Sequence, residues 1–486
     1  MIFNQIPAGL RIPFAAVEFD SSKSTQGPAL KPYRTLLIGQ KLAAGSQAAD
    51  SLALVSSAAQ VAALAGLGSM LHRMALAYFA DNTFTETWIG VLGDNVAGVA
   101  PTGTLTVTGP ESGAGTLQIY IGGELVSVAV ASGDAATAIA TAIAAAITAI
   151  ADLPVTAAAV GAVVTLTHRH KGTIGNGLDV RLNYQIGNAI PAGVAVAIVA
   201  MNGGTTDPTL TNLIAAMGDT WFDVVAMPYT DATSLTAIEN ELERRFGPMV
   251  MADGAVITAA NGSQATMATL GNGRNSKQSC IVATNNSPTP VPEYAANIAA
   301  LVAFYGNIDP ARPFQTLASS WILPPAQSDQ FTLSQRNILL QDGISTTKAV
   351  AGGVVQIERM ITTYKTNSAG AADTSYLDLT TRLTLSYLRY SFRTRMLTRY
   401  PRHKLADDGV PTGQGQAIIT PKIGKAEAIN WFRDMVDLGL VEQPDQFKND
   451  LVVQRNQQNV NQLDFLLPPN VINFLLVTAA QIQFRL

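Results

Sequence analysis

The sequence predicts an α/β protein: a doubly wound central domain, an inserted β-rich domain, an α+β C-terminal domain and extended, strand-like arms at both ends. Three observations carry this. Short apolar strands alternate with helical patterns in two separated stretches of the chain. A Thr/Val/Ala/Gly-rich run of alternating strands lies between them. At both ends, apolar and polar residues alternate with a period of two.

Taken in order, Thr35-Leu36-Leu37-Ile38-Gly39 reads as the first buried strand. One helical pattern over 57–79 follows on Val61, Leu64, Leu67, Leu71 and Met74, and a strand over 87–92 closes a βαβ-like unit. The rhythm resumes after Gly203-Gly204. A helix over 210–217 leads to a strand over 221–227, and a charged helix over 234–245 leads to a strand at Met249-Val250-Met251. A helix over 263–270 then precedes the strand Ser279-Cys280-Ile281-Val282-Ala283, and a further helix spans 293–305. Apolar strands of this kind are covered on both faces.

Between 96 and 203 the pattern changes. Leu117, Ile119 and Ile121 alternate with polar neighbours, Gly122-Gly123 makes a two-residue turn, and Val126, Val128 and Val130 return as a hairpin. The uncharged stretch 135–151 is too short and too Ala-rich to span a membrane, and Ile139, Ile143, Ile147 and Ile150 recur at helical spacing, so it reads as a packed helix. A strand over 163–167 completes an insert tied to the body by two chain crossings. The C-terminal third predicts a hairpin over 344–362 through Ala351-Gly352-Gly353, and then a long helix over 374–399. Leu385, Leu388, Phe392 and Met396 stripe that helix and Pro401 ends it. A helix over 426–438 and a last strand region follow.

The ends are the most informative structural signal. Leu10, Ile12 and Phe14 alternate with Arg11 and Pro13, and Ile482, Phe484 and Leu486 alternate with Gln481, Gln483 and Arg485. Pro13 confines the first strand to a sheet edge, and 21–32 is a Ser/Gly/Pro/Lys linker. Two readings stand at this point: each end pairs within its own subunit, or each is donated to another chain. The resulting division is 1–32 arm and linker, 33–95 with 204–325 central domain, 96–203 insert, 326–468 C-terminal domain and 469–486 strand arm.

Composition narrows the function. Of 486 residues only 14% are charged, against about 25% in ordinary soluble chains. A neutral surface suits a subunit that buries itself against copies, and equally an Ala-rich monomer. The net charge of -4 supplies no field toward nucleic acid or an anionic membrane. The single cysteine, Cys280, excludes an internal disulfide and reads as an inert core thiol. Residues 1–7 lack the features of a secretory signal. His168 and His170 share a strand face with no third ligand nearby, so an exposed basic strand end is expected there in place of a metal site. His72 falls on a helix and His403 in a basic turn. The glycines of 172–177 precede a strand and read as a turn, and Ser263 has no histidine motif to serve as its base. No catalytic, cofactor-binding or metal-ligating residue is assigned. The strongest charge feature is the run Arg382, Arg389, Arg393, Arg395, Arg399, Arg402 and Lys404, expected to meet acidic groups on a neighbouring subunit or an inner tube.

As a whole the chain resembles the tail sheath proteins of Mu-like contractile-tailed phages. The resemblance is carried by 6–20 and 36–41, by Val355-Gln356-Ile357-Glu358-Arg359-Met360-Ile361-Thr362-Thr363-Tyr364, by Tyr400-Pro401-Arg402-His403-Lys404-Leu405-Ala406-Asp407-Asp408, and by Ala479-Ala480-Gln481-Ile482-Gln483-Phe484-Arg485-Leu486. It implies a non-enzymatic subunit of the virion tail, assembled in the host cytoplasm. Such a subunit polymerises helically around a tail tube and contracts to drive the tube through the host envelope, with no nucleic-acid or membrane partner. It further implies a central domain of subtilisin-like, non-catalytic fold. Terminal arms would add strands to neighbours, and tube, baseplate and tail terminator proteins would be partners. A sheath of a phage-derived injection particle and, from a different class, an α/β hydrolase are the alternatives.

Overall fold

A computed structural model describes residues 31–109, 112–411 and 415–485. The N-terminal alternation at Leu10, Ile12 and Phe14 lies outside them, as does Leu486. By internal contacts the described residues divide into two units, 33–385 with 473–485, and 386–472 with 31–32.

The larger unit is built on one mixed sheet. In β1 (Arg34–Gln40) successive side chains feed two separate cores, Leu36 and Ile38 on one side and Leu37 on the other. Burying each such side chain contributes about 1.5–3 kcal/mol. The short β2 (Ser51–Val55) is an antiparallel edge strand that the sequence reading missed. The single helix expected over 57–79 is two, α1 (Ala58–Ala65) and α2 (Met70–Asp81). Gly66 and Gly68 at φ 95° and 75° break it, and Ser69 starts the second helix by accepting from the His72 N–H at 3.1 Å. Leu67, counted as part of the apolar stripe, is therefore exposed. β3 (Glu86–Leu92) then pairs parallel to β1.

The insert follows. β4 (Thr102–Thr108), β5 (Gly115–Ile121) and β6 (Glu124–Val130) precede α3 (Ala136–Ala149), and β7 (Val155–Val160), β8 (Val163–His168), β9 (Val180–Leu182) and β10 (Ala195–Asn202) complete it. β5 and β6 form the expected hairpin, Ile121 opposite Glu124, with Gly122 and Gly123 at φ 58° and 83° as its left-handed turn. One four-stranded sheet (β10-β4-β8-β7) and one three-stranded sheet (β6-β5-β9) enclose Ile139, Ile143 and Ile147 of α3 in a separate core.

The central sheet continues through α4 (Thr211–Ala216), β11 (Val224–Ala226), α5 (Ala232–Phe246), β12 (Ala255–Ala260), α6 (Gln264–Asn272), β13 (Ser279–Ala283), α7 (Val291–Ile308), α8 (Leu333–Gln341), β14 (Ile344–Ala349) and β15 (Val355–Arg359). Its order is β15-β14-β13-β12-β11-β1-β3-β2, parallel except at the two outer strands. The expected strand at Met249-Val250-Met251 is a loop with Met249 exposed and Met251 at φ 55°. The strand lies six residues further on, in Ala255–Ala260. There alanines poor in β propensity are selected because both faces are buried under helices.

α9 (Leu379–Arg399) starts later than the expected residue 374, because the Asp373 carboxylate accepts from the Ser375 N–H at 2.9 Å and fixes a turn. The division between the units falls within this helix. The smaller unit contains β16 (Lys404–Leu405), β17 (Ile418–Ile419), α10 (Pro421–Asp437), β18 (Val441–Glu442), α11 (Pro444–Asp450), β19 (Val452–Arg455), β20 (Leu463–Leu466) and β21 (Asn470–Val471). Its core is aromatic: the Phe432 and Phe447 rings stack at 3.9 Å, and Phe392 meets Trp431 and Phe465 edge-on at 5.1 and 5.3 Å.

Candidate assembly surfaces

The residues that suggested chemistry have structural duties. The Ser263 Oγ caps α6, accepting from the Thr266 N–H at 3.2 Å. Cys280 is fully buried, which pushes its thiol up to about 12. Among the described residues, no three His, Cys, Asp or Glu side chains converge to hold a metal ion, and no helix is long and apolar enough to cross a membrane.

His168 and His170, expected on an exposed strand end, are 8% and 2% exposed. The reason is that β8 runs into the junction between insert and body. There His170 Nε2 accepts from the Met70 N–H at 2.9 Å and Nδ1 lies 3.0 Å from Asp94 Oδ1. Burial would raise the Asp94 carboxyl, but bonds from His170, the Lys171 N–H and Gln40 hold it below its ordinary value. Burial lowers His168 to about 4, although a bond with the His170 backbone opposes this. Beside them Arg73 of α2 pairs with the buried Glu293 at 2.8 Å and with Glu124 of the insert at 3.0 Å. Trp321 Nε1 donates to Glu293 at 2.8 Å.

The arginine run does not form one face. Arg382 is 2% exposed; it donates to Gln278 Oε1 at 2.6 Å and to the Lys277 carbonyl at 3.1 Å, and stacks 4.4 Å from the Phe246 ring centroid. It is an interior group, and the outward role expected of it is corrected. In the smaller unit Arg395 pairs with Glu427 and Asp434, and Arg399 Nη1 reaches Glu427 Oε1 at 2.9 Å. Burial would raise Glu427, but these arginines and the Tyr400 hydroxyl hold it low. At 100° per residue, Arg393 points roughly 160° away from Arg395. Arg393 is exposed and Arg389 is half-buried.

β19 and β20 make a two-stranded hairpin in the smaller unit, Val453 opposite Phe465 and Arg455 opposite Leu463. It lies close on α10 because Gly424 has no side chain: a Cβ there would stand 3.0–3.3 Å from Leu463, Phe465 and Val453. Neither strand has a second neighbour among the described residues, and an isolated two-stranded ribbon is marginal in water. The opposite face carries exposed Val452 and Leu466.

In the larger unit, residues 473–485 adopt neither helix nor strand. Ile482 and Phe484 are 87% and 79% exposed. Only the start of this tail touches a groove, with Phe474 half-buried and Leu475 and Leu476 exposed. Phe474 and Leu476 line a groove with Pro313, Phe314 and Met360, and Gln315 Nε2 donates to the Leu475 carbonyl at 3.3 Å. Of the six arm residues, Ile482 and Phe484 thus stand unpaired on one tail. No sequence signal distinguished residues 474–476 from the rest of it.

Known proteins resemble the chain along its whole length. Residues 203–363 match the phage tail sheath protein central domain, and 371–485 match the phage tail sheath C-terminal domain. The Mu-like prophage FluMu tail sheath protein of Haemophilus influenzae is 39% identical over 484 residues, covering 100% of this chain and 99% of that one. Among solved structures, a sheath tail protein of Desulfitobacterium hafniense aligns at TM-score 0.47 and 14% identity over 95% of this chain and 100% of that one. One from Listeria innocua aligns at TM-score 0.48 and 11% identity over 93% and 95%. The two domain matches together with the full-length relative show that this chain belongs to the phage tail sheath protein family, a structural family and not an enzyme family.

Proposed function

We propose that the chain is the subunit of a contractile sheath that polymerises helically around a tail tube and shortens to drive the tube through the host envelope. The observation that carries this is a mismatch among the described residues: an alternating apolar tail without a sheet, and a ribbon with two open edges. Strand addition satisfies both, since the ribbon gains ladder hydrogen bonds and the tail buries Ile482, Phe484 and Leu486 on one face. The arm at Leu10, Ile12 and Phe14 is assigned to a second edge, giving four strands from three copies.

Main-chain bonds of this type survive while side-chain contacts between bodies are exchanged, as contraction requires. Arg389, Arg393 and Arg399 are assigned to contacts with a neighbour or the tube, and the tube, baseplate and tail terminator proteins are its partners. The central sheet is read as subtilisin-like in arrangement without protease chemistry, in keeping with the capping role of Ser263. Assembly is assigned to the host cytoplasm. Electron microscopy of the purified full chain and of chains lacking 1–15 or 481–486 tests the reading. Tubes from the intact chain alone are expected, and ordered tubes from both truncated chains contradict it.

A further inference from the structure

We infer that the groove beside β15 is a permanent anchor for the chain's own tail, so that Phe474–Leu476 stay seated while only residues 477–486 pass to a neighbour. The inference rests on the strand-donation reading and adds to it a fixed point and a length. The groove is lined by Pro313, Phe314, Gln315, Arg359, Met360 and Thr380. Its rim is stiffened by the two-pronged pair of Arg359 with Asp378, both bonds 3.0 Å. Phe474, half-buried, and Leu476, 45% exposed, complete its lining, and the Leu475 carbonyl accepts from Gln315. β15 itself is closed to strand addition, because 316–319 already bond along it: the Thr316 N–H to the Ile357 carbonyl and the Ser319 N–H to the Val355 carbonyl, both at 2.9 Å. The tail therefore meets a groove of side chains here and no free ladder.

Beyond the anchor the sequence changes character. Val477-Thr478-Ala479-Ala480 is a small-residue spacer, and Gln481-Ile482-Gln483-Phe484-Arg485-Leu486 alternates. Ten residues from Leu476 reach at most about 33 Å in extended form, of which the spacer supplies about 13 Å. A neighbour's accepting edge must begin within that spacer length of the groove. The anchor and spacer together set how far two bodies separate before the donated strand is pulled from its ladder.

The test is a short bifunctional thiol crosslinker applied to full-length Phe314→Cys/Leu476→Cys, as monomer and as tubes. Cys280 does not compete, since its thiol is buried. The expected product in both states runs at monomer mass. A ladder of linked chains in tubes means that a neighbour's tail fills the groove, and loss of the crosslink on assembly means that the tail leaves it; either overturns the inference. Should the double variant not polymerise, deletion of Ala479 and Ala480 decides. It keeps the alternation on its face but removes about 7 Å of reach, so loss of tubes, restored by adding two residues elsewhere in the spacer, is expected. Unchanged tubes overturn the anchor. Removing 481–486 in the same cysteine background separates the two ideas. Tubes that persist there sink strand donation, whereas the crosslink reports on the anchor alone.

Discussion

The insert, which is β-rich, and the C-terminal region, which mixes helices with short strands, end their strands in opposite ways. The insert closes on itself. Two sheets and α3 share one core, and at its junction with the body Arg73 pairs with Glu293 and Glu124 while His170 lies against Asp94. Among the described residues the C-terminal region is left open, with a two-stranded ribbon and an apolar tail outside any sheet. The difference teaches where the proposed strand donation would act: the insert offers no open ladder, whereas the ribbon offers edges that a donated strand could fill.

Substitutions that attack one region and spare the other sharpen this contrast. The largest expected effect is on polymerisation. Ile482→Lys/Phe484→Lys should abolish tubes seen by electron microscopy while leaving the monomer's melting unchanged, because both side chains already face water. Arg73→Ala should do the reverse. Leaving Glu293 buried without its partner costs about 3–5 kcal/mol in thermal or denaturant unfolding, and the variant should still polymerise where it is folded. Equal loss of assembly in both variants would break the comparison.

The third prediction concerns acid. His168 titrates near 4 in the folded chain and at 6.5 when unfolded, so the folded state disfavours its proton. Stability is therefore undiminished above about pH 6.5 and declines as pH falls toward 4, by on the order of 3 kcal/mol from this group. His168→Gln should flatten that part of the stability profile measured by denaturant titration. A profile of unchanged slope would remove the histidine from the account.

Smaller again, Gly424→Val should push the β19–β20 ribbon off α10 at about 1–3 kcal/mol, and should weaken assembly more than that cost explains. The smallest effect is expected of Arg393→Glu, within about 0.5 kcal/mol of the parent in stability. Its influence should appear only as altered salt dependence of polymerisation. Salt dependence identical to the parent's would remove Arg393 from the contact surface.

Most of the central sheet was legible because its strands are continuous apolar runs, as in Leu36-Leu37-Ile38, whose burial on two sides leaves little alternative. What failed was punctuation and context. Gly66 and Gly68 cut a helix whose apolar period runs through the break, and Ala255–Ala260 hid as a strand because its alanines are chosen by helix packing and not by β propensity. The burial of His168 and His170, and the interior place of Arg382, depend on partners such as Met70 and Gln278 that are about 100 residues away. No local pattern encodes those contacts. The alternation of Ile482 and Phe484 is plain in the sequence, whereas the contact of Phe474 with Pro313, Phe314 and Met360 depends on a groove formed by distant segments.

The most direct measurement is a cryo-EM reconstruction of assembled tubes at a resolution that traces the backbone of residues 481–486. The account predicts that these residues form a strand hydrogen-bonded to β19 or β20 of another copy, with Ile482 and Phe484 buried. A tail folded back on its own subunit, beside a ribbon that remains two-stranded, would contradict it.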